Sequence, residues 1–451
     1  MNVGVYTLGC KVNTYESEYI ISKLVKAGFK ICDFDSVNDV YIINTCTVTN
    51  NSDAKSRKMI RHARKLNPDA CLVVVGCFVE YNKKNISDII PDADIILGNK
   101  DKSIIVDLIK DYLDSHKKII NLYDDFDSSF EDMFIDNYKT RTRAFVKVQD
   151  GCENFCSYCV IPRVRGKCRS KKLEVAVKEV DTLVKNGYKE IILTGIHTGN
   201  YGVDIGTNFA TLLKEIVKIK DLKRLRISSI EATELTDEVL DVIKNNDVIV
   251  NHFHVPIQSG SDNILKLMNR KYNIEYFKEK VNKLRNIKKD VSITTDIIAG
   301  HPGENDEEFS KTIANIKEIN FSKLHVFPYS VRQDTPSSRL AQVPDYLKKD
   351  HTDKLLELSL DLEKKYMKKF LGKKLEVLFE TNKDGYSYGH TTNYLHVKAL
   401  GTIPSSTFKM VTLINIEYPY VFGEIDEDRE DNLEQEDLWW LSFLFRKDIW
   451  F

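Results

Sequence analysis

Three cysteines at C-x3-C-x2-C spacing, Cys152-Glu153-Asn154-Phe155-Cys156-Ser157-Tyr158-Cys159, constrain this chain more than any other stretch. Thiolates this close suit a soft metal, and iron-sulfur clusters are normally held by cysteine sulfur. A four-iron cluster takes one ligand per iron, so a loop with three thiols leaves one iron open to a small molecule. The competing readings are a structural zinc loop or three buried cysteines, but the spacing differs from the paired C-x2-C of zinc ribbons. The loop follows residues 144–148, an apolar and β-branched run that reads as a strand, and precedes a predicted helix over 171–186. A strand-to-helix loop is where α/β folds place their sites.

The rest of the chain sets the frame. At 451 residues it should divide into about three domains. Nine cysteines in a large chain rich in Lys and Glu, with no signal-peptide pattern at Met1, do not read as a disulfide framework, and a reducing cytoplasmic setting is expected. No run approaches the roughly 18 consecutive apolar residues of a spanning helix, so no transmembrane segment is expected. Residues 424–451 carry ten acids against three bases, which leaves the rest of the chain modestly basic and tolerant of a polyanionic partner.

Residues 1–138 alternate strand and helix patterns, with strands at 3–8, 40–44, 71–75 and 94–97 and helices at 16–27, 53–66 and 102–113. Apolar strands separated by helices imply a parallel sheet covered on both faces. Cys10, Cys46 and Cys77 each fall just past a strand. If those strands are parallel neighbours, the three thiols converge at the carboxyl edge of one sheet, where open α/β domains bind ligands. One cysteine at a strand end is commonly core, whereas three at matching positions point to a shared metal centre. Cys32, Cys71 and Cys168 lack this placement. The 53–66 helix is basic, with Lys55, Arg57, Lys58, Arg61, Arg64 and Lys65, which reads either as a solvated face or as a phosphate track.

The Cys152 segment resembles the radical S-adenosylmethionine (SAM) superfamily, whose signature is C-x3-C-x-aromatic-C, with Tyr158 in the aromatic position. In that superfamily the amino and carboxylate groups of SAM chelate the open iron, and one electron cleaves SAM to a 5'-deoxyadenosyl radical. Thr7-Leu8-Gly9-Cys10-Lys11-Val12-Asn13, Ile43-Asn44-Thr45-Cys46-Thr47-Val48-Thr49-Asn50 and Val75-Gly76-Cys77-Phe78 resemble the three cysteine motifs of the methylthiotransferase amino-terminal domain. That resemblance implies Cys10, Cys46 and Cys77 as ligands of an auxiliary four-iron cluster. The Leu-Gly-Cys-Lys-Val-Asn and Asn-Thr-Cys-Thr-Val-Thr variants look most like the branch acting on N6-threonylcarbamoyladenosine in tRNA.

Residues 139–370 repeat strand and helix, with strands predicted at 144–148, 190–194, 225–228, 253–255, 292–298 and 323–327. Six βα units assemble naturally as a partial TIM-like (β/α)6 barrel with its site at the carboxyl ends of the strands. The family resemblance implies that Thr194 and Gly195 face the SAM methionine, where backbone approaches closely. It also places Glu231 and Gln258 in segments lining the SAM and substrate cavity, although either side chain could cap the next helix. Two departures stand out: Asp334 replaces a glycine of the family pattern, and His301 replaces its more usual Phe. Between 139 and 172 there are ten basic residues and two acidic ones, an excess suited to the cluster, SAM or tRNA phosphates.

Beyond a helix at 350–371, short strands at 375–380, 386–391, 394–397 and 410–418 read as a small β-barrel. Gly389-His390-Thr391-Thr392-Asn393-Tyr394-Leu395 resembles the TRAM domain, an RNA-binding module. Tyr386, Tyr388, Tyr394, Lys383 and Lys398 are candidates for base stacking and phosphate contact. The tail at 428–451 holds an acidic run and then Trp439-Trp440-Leu441-Ser442-Phe443-Leu444-Phe445, which would dock on the protein's own surface or on a partner.

The expected fold class is thus α/β, with a parallel-sheet domain over 1–138, a radical SAM core over 139–370, a TRAM-like barrel over 371–427 and a tail. The resemblance implies a methylthiotransferase with two [4Fe-4S] clusters and SAM, acting at C2 of N6-threonylcarbamoyladenosine at position 37 of tRNA. It also implies a flavodoxin- or ferredoxin-like electron donor and leaves the sulfur source open. The alternatives are another tRNA adenosine, a ribosomal protein, or a non-catalytic iron-sulfur RNA-binding protein.

Overall fold

A computed structural model describes residues 1–124, 129–138 and 141–426. The tail expected at 428–451 lies outside the described residues.

The first sheet contains β1 (Asn2–Thr7), β2 (Lys30–Cys32), β3 (Val40–Thr45), β4 (Cys71–Gly76), β5 (Ile95–Leu97) and β6 (Ile119–Asn121). All pairings are parallel and the order is β2-β1-β3-β4-β5-β6. Every position of β3 and β4 is buried, because helices cover both faces and leave no room for alternation. The edge strands β2 and β6 escape sequence reading: each is three residues long and partly exposed, without an apolar run. From β1 the chain turns outward to β2 and then crosses to β3 on the other side, so β1 and β3 flank a topological switch point.

The helix Lys11–Lys26 begins five residues earlier than the apolar pattern suggests, with Cys10 at its N-cap. It is buried on both sides, and Asn13, Glu16 and Glu18 are buried with it. One side faces the first sheet. On the other, Tyr15 and Tyr19 join the core of the next unit, with Val146, Leu183 and Ile191.

That unit comprises β7 (Ala144–Lys147), a short antiparallel ladder of β8 (Gln149–Asp150) with β9 (Arg169–Ser170), then β10 (Glu190–Thr194), β11 (Arg224–Ile227), β12 (His252–His254), β13 (Ser292–Ala299) and β14 (Lys323–Pro328). β7, β10 and β11 form one parallel sheet, and β12, β13 and β14 another. Parallel bridges Leu225 to Ile249 and Ser229 to His254 join them. The six long strands therefore make a single curved wall, the (β/α)6 partial barrel. Leu324 of β14 is buried toward the helix Asp345–Lys368, where its N–H meets Ser359 Oγ at 3.1 Å. Its neighbours His325 and Phe327 therefore face the lumen, beside Asp296 and Ile298 of β13.

β15 (Lys374–Lys383), β16 (Tyr386–Thr391), β17 (His396–Leu400), β18 (Thr407–Glu417) and β19 (Tyr420–Ile425) close a barrel in the order β15-β16-β17-β19-β18. The sequence shows four of these strands; β19, directly after the Tyr418-Pro419 turn, lies beyond the last predicted strand at 410–418. Tyr394 belongs to a turn, with φ 67°, and not to a strand. The helix Asp345–Lys368 and the residues after it send Tyr366, Met367 and Phe370 into the barrel's core beside Val377, Val397 and Leu413.

Candidate active site

Cys10, Cys46 and Cys77 leave the carboxyl ends of β1, β3 and β4, three neighbouring strands around the switch point. Gly9, at φ 103°, lets the first two approach: a Cβ there would lie 2.9 Å from Cys46 Cβ and 3.1 Å from its Sγ. Asn13 fastens both loops, its Nδ2 donating to Leu8 O at 2.8 Å and Thr45 O at 3.0 Å. Asn99 Nδ2 lies 3.4 Å from Cys77 Sγ. Cys46 and Cys77 are buried, whereas Cys10 keeps solvent access. Burial nevertheless raises the Cys10 thiol pKa, against Arg165, which lowers it; both facts fit a side chain lining an internal space. Burial also pushes the Cys46 thiol up to about 11.

The second trio sits in a loop closed at its base by β8 and β9. Gly151, at φ 72°, lies against Lys167, whose carbonyl oxygen would be 1.9 Å from an added Cβ. Cys152 N–H donates to Gly166 O at 3.1 Å, and Cys159 N–H to Cys156 O at 3.0 Å. The loop is pinned by Ser157 N–H to Met268 O at 3.0 Å and by Ser337 N–H to Ser157 O at 2.8 Å. Burial pushes Cys159 up to about 12 and raises Cys156, where Arg270 opposes it. Among the described residues no three Cys, His, Asp or Glu side chains converge as ligands of one metal ion would. Within each trio the thiols stand near enough to act on one another electrostatically.

Two cations flank this loop. Arg270 Nη1 lies 3.3 Å from Cys156 Sγ, while Nη2 pairs with Glu231 and meets Tyr272 Oη at 2.9 Å. His197 pairs with Glu234; burial opposes its charge, but hydrogen bonds to Cys152 and Glu234 raise its pKa to about 11. Neither was legible in the sequence, where both stand in ordinary loops.

The expected SAM-facing residues all lie at the carboxyl rim of the barrel. Tyr158 meets the ring of His301 edge-on at 6.2 Å. Thr194 is buried, its carbonyl accepting from Val148 N–H at 2.9 Å. The Cβ that Gly195 lacks would meet Gln149 Oε1 at 2.9 Å, so Gln149 occupies the room the glycine leaves. Glu231 is tied to Arg270, and its N–H donates to Glu234 Oε2 at 2.8 Å. Gln258 holds φ 66°, strained for a residue with a side chain, and its backbone is fixed between Asp296 O and Ile298 N–H at 2.9 Å each. Its side-chain amide has no partner among the described residues.

A short helix, Ile161–Arg165, continues the second loop and connects the trios. Arg165 Nη2 donates to Asn13 Oδ1 at 2.7 Å, Arg165 Nη1 to Glu16 at 2.9 Å and to Asp150 at 3.1 Å, and Val164 O accepts from Asn99 Nδ2 at 2.7 Å. Glu16 also pairs with Lys147 at 2.9 Å and Lys102 at 3.6 Å. On the far side Arg332 donates to Thr47, Asn50 and Asp53 at 2.7 to 2.8 Å. Much of the basic excess over 139–172 is therefore spoken for internally: Lys147, Arg165 and Lys171 are buried in ion pairs.

The two departures are accommodated. Asp334 has φ 66°, which explains a glycine preference, and its carboxylate pairs with Arg163 at 3.1 Å. That pair is mostly exposed and worth little, so Asp334→Gly should shift stability by less than about 1 kcal/mol. Asp334→Ala should cost about 1 kcal/mol or more; urea unfolding of the two variants checks both. His301 is buried, bonded to Ser337 Oγ at 2.8 Å, which in turn donates to Ser157 Oγ at 2.7 Å.

On the first domain Lys55, Lys58, Arg61 and Lys65 are exposed, while Arg64 is turned to Ala70 O at 2.8 Å and Asp94 at 2.7 Å. In the C-terminal barrel Lys398 covers Tyr386 at 3.9 Å and pairs with Glu417 at 3.1 Å. Tyr394 faces inward, stacked between His252 and His390 with ring centroids 4.6 and 4.7 Å away. It is a contact between the two barrels and not an open stacking platform. Among the described residues no helix is long and apolar enough to cross a membrane.

Residues 146–316 match the Radical SAM superfamily, and residues 2–98 match Uncharacterized protein family UPF0004. Threonylcarbamoyladenosine tRNA methylthiotransferase MtaB of Bacillus subtilis (strain 168) is 42% identical over 443 residues, spanning 96% of this chain and 98% of that protein. The protein of the same name from Thermotoga maritima is 40% identical over 84% of this chain and 86% of its own length. The tRNA-2-methylthio-N(6)-dimethylallyladenosine synthase of Acetivibrio thermocellus is 35% identical over 83% of this chain and 79% of its own length. Among solved structures, the radical S-adenosylmethionine methyltransferase TsrM from Kitasatospora setae superposes with a TM-score of 0.56 at 14% identity, covering 75% of this chain and 77% of that one. At that identity the likeness is one of fold.

Proposed function

Because this chain belongs to the radical SAM tRNA methylthiotransferase family, we propose that it inserts a methylthio group at C2 of N6-threonylcarbamoyladenosine at position 37 of tRNA. The observation that carries this reading is the pair of thiol trios at the carboxyl ends of two adjoining parallel sheets, linked through Ile161–Arg165, in a chain 42% identical to a protein named for that reaction.

The residues fit the cofactors of the family, SAM and two [4Fe-4S] clusters. The donors are soft thiols, and those of Cys46 and Cys159 would stay protonated at neutral pH unless a metal displaced the proton. Cys152, Cys156 and Cys159 would hold the cluster that binds SAM, and Cys10, Cys46 and Cys77 the auxiliary cluster. When bound, these groups would supply the one-electron cleavage of SAM, and the auxiliary cluster would present or supply the sulfur that is transferred. The target C–H is too weakly acidic for a side-chain base tuned near neutral pH, so the hard step falls to the cofactor and the protein positions it.

The chain's own residues set the surroundings. Arg270 and cationic His197 place positive charge against Cys156 and Cys152, which offsets the negative charge of ligated thiolates. Arg165 does the same beside Cys10. Tyr158, Thr194, Gly195, Glu231 and Gln258 would line the SAM site; of these Gln258 offers a side-chain amide that no described residue uses. The exposed row Lys55, Lys58, Arg61 and Lys65 would meet tRNA phosphates, as would the TRAM-like barrel. A flavodoxin- or ferredoxin-like protein would deliver electrons, in the cytoplasm where tRNA resides.

The test is anaerobic reconstitution with iron and sulfide, then reduction with SAM and tRNA bearing threonylcarbamoyladenosine, followed by mass spectrometry of nucleosides and of 5'-deoxyadenosine. A methylthio gain on that nucleoside is expected. Formation of 5'-deoxyadenosine without it would replace the substrate; a protein holding about eight irons that gave neither product would overturn the enzyme reading.

A further inference from the structure

Lys11 opens the helix Lys11–Lys26 directly after Cys10, and the charges nearest its ammonium belong to the neighbouring units. The side chain keeps solvent access. It stands within electrostatic reach of Tyr394, Arg226, Arg143 and Asp296, which come from a C-terminal turn, β11, the approach to β7, and β13. A lysine of the first domain thus projects into the lumen of the second.

The other charges there are matched. Arg226 Nε donates to Glu190 Oε1 at 2.8 Å, Arg143 Nε to Glu380 at 2.9 Å, and Asp296 pairs with His254 at 3.1 Å. Lys11 makes no hydrogen bond or ion pair among the described residues. Arg226, fully buried, also leaves Nη1 without a partner. The first turn of the lysine's own helix carries no acidic residue, and its N-cap side chain makes no capping bond, so the helix dipole adds to the same positive field. Below lies Tyr394 with Arg226 over its face at 4.5 Å, and across the space stand His325 and Phe327 of β14. Among the described residues Lys11 is thus a cation without an anionic partner that solvent, and so a ligand, can reach, beside an arginine with one free N–H.

We propose that Lys11 is the counter-ion of a carboxylate carried by the modified base, the free carboxylate of the threonyl group, in a subsite of the barrel lumen next to Cys10. The assignment rests on the tRNA reading above and deepens it. Threonylcarbamoyladenine carries a negative charge at its far end, and a dimethylallyl group, for which other relatives are named, carries none. Lys11 would therefore separate the two kinds of substrate.

Two stem-loop RNAs test it, one with threonylcarbamoyladenosine and one in which the same carboxylate is converted to the carboxamide. Each is titrated against reconstituted protein, with iron content confirmed for every variant because Lys11 adjoins Cys10. Wild type should bind the carboxylate RNA roughly ten-fold or more tightly, the scale of a charge-assisted hydrogen bond. In Lys11→Gln the ratio of the two affinities should fall to about one, and Lys11→Arg should restore most of it. A ratio unchanged in Lys11→Gln overturns the assignment, as does an equal weakening for both RNAs, which marks a structural role. The function assay above is run in parallel on wild type. Methylthio product with an unchanged ratio sinks the lysine alone; its absence sinks the substrate reading and the lysine with it.

Discussion

Replacing Cys10, Cys46 and Cys77 together by alanine should leave reductive cleavage of SAM running while tRNA methylthiolation stops altogether. Replacing Cys152, Cys156 or Cys159 should stop both. The two trios lie on different sheets, and the second loop is held by contacts of its own unit, among them Ser157 to Met268 and Cys152 to Gly166. Removing thiols from the first domain leaves those contacts intact. Cysteine packs as a small hydrophobe, so alanine at buried Cys46 and Cys77 should cost about 1 kcal/mol each and keep the fold. Iron per chain should fall from about eight to about four in the triple variant. Quantifying 5'-deoxyadenosine, methylthio-nucleoside and iron on the same sample decides the matter: a triple variant with four irons and no SAM cleavage would refute the separation of roles.

Arg165→Met should be the most damaging substitution outside the cysteines. The guanidinium is buried and joins Glu16, Asp150 and Asn13. Its loss leaves buried carboxylates short of charge, a defect worth roughly 3–5 kcal/mol, and releases Asn13 from the second loop. Burial works to raise the carboxyl pKa values of Glu16 and Asp150, but Arg165 and the neighbouring lysines outweigh it and hold both below the usual carboxylate range. Groups depressed in this way contribute stability that is complete above the unfolded value near 4 and is lost as pH falls through the folded value. The gap between wild type and Arg165→Met in chemical unfolding should therefore be widest near neutrality and narrow below about pH 4. A gap that grew on acidification would show that these carboxylates are not held by the arginine.

The fold was largely legible, and with it the placement of Cys10, Cys46 and Cys77 at the ends of neighbouring strands, because the signals are local. A strand of continuous apolar residues ending in Cys carries its own position in the site once neighbouring strands are parallel. What links the trios was not legible, since each link joins distant segments. Asn99 and Cys77 are 22 residues apart, and Arg332 and Asp53 are 279 apart. Charge misled for the same reason: Lys147, Arg165 and Arg64 look like phosphate ligands in a basic run, but each is taken by a carboxylate that only the folded chain brings near. Tyr394 reads as a surface aromatic of a small barrel because nothing local shows that His252 will cover it.

The five residues of Ile161–Arg165 have a bearing on how such a protein can change over time. Through Arg165 and Val164 they grip Asn13 and Asn99, the residues that hold the first trio's loops. The spacing of the two thiol trios is thus set by a few polar side chains and not by a hinge. A first domain borrowed from a relative should therefore function here only if it brought asparagines at both places.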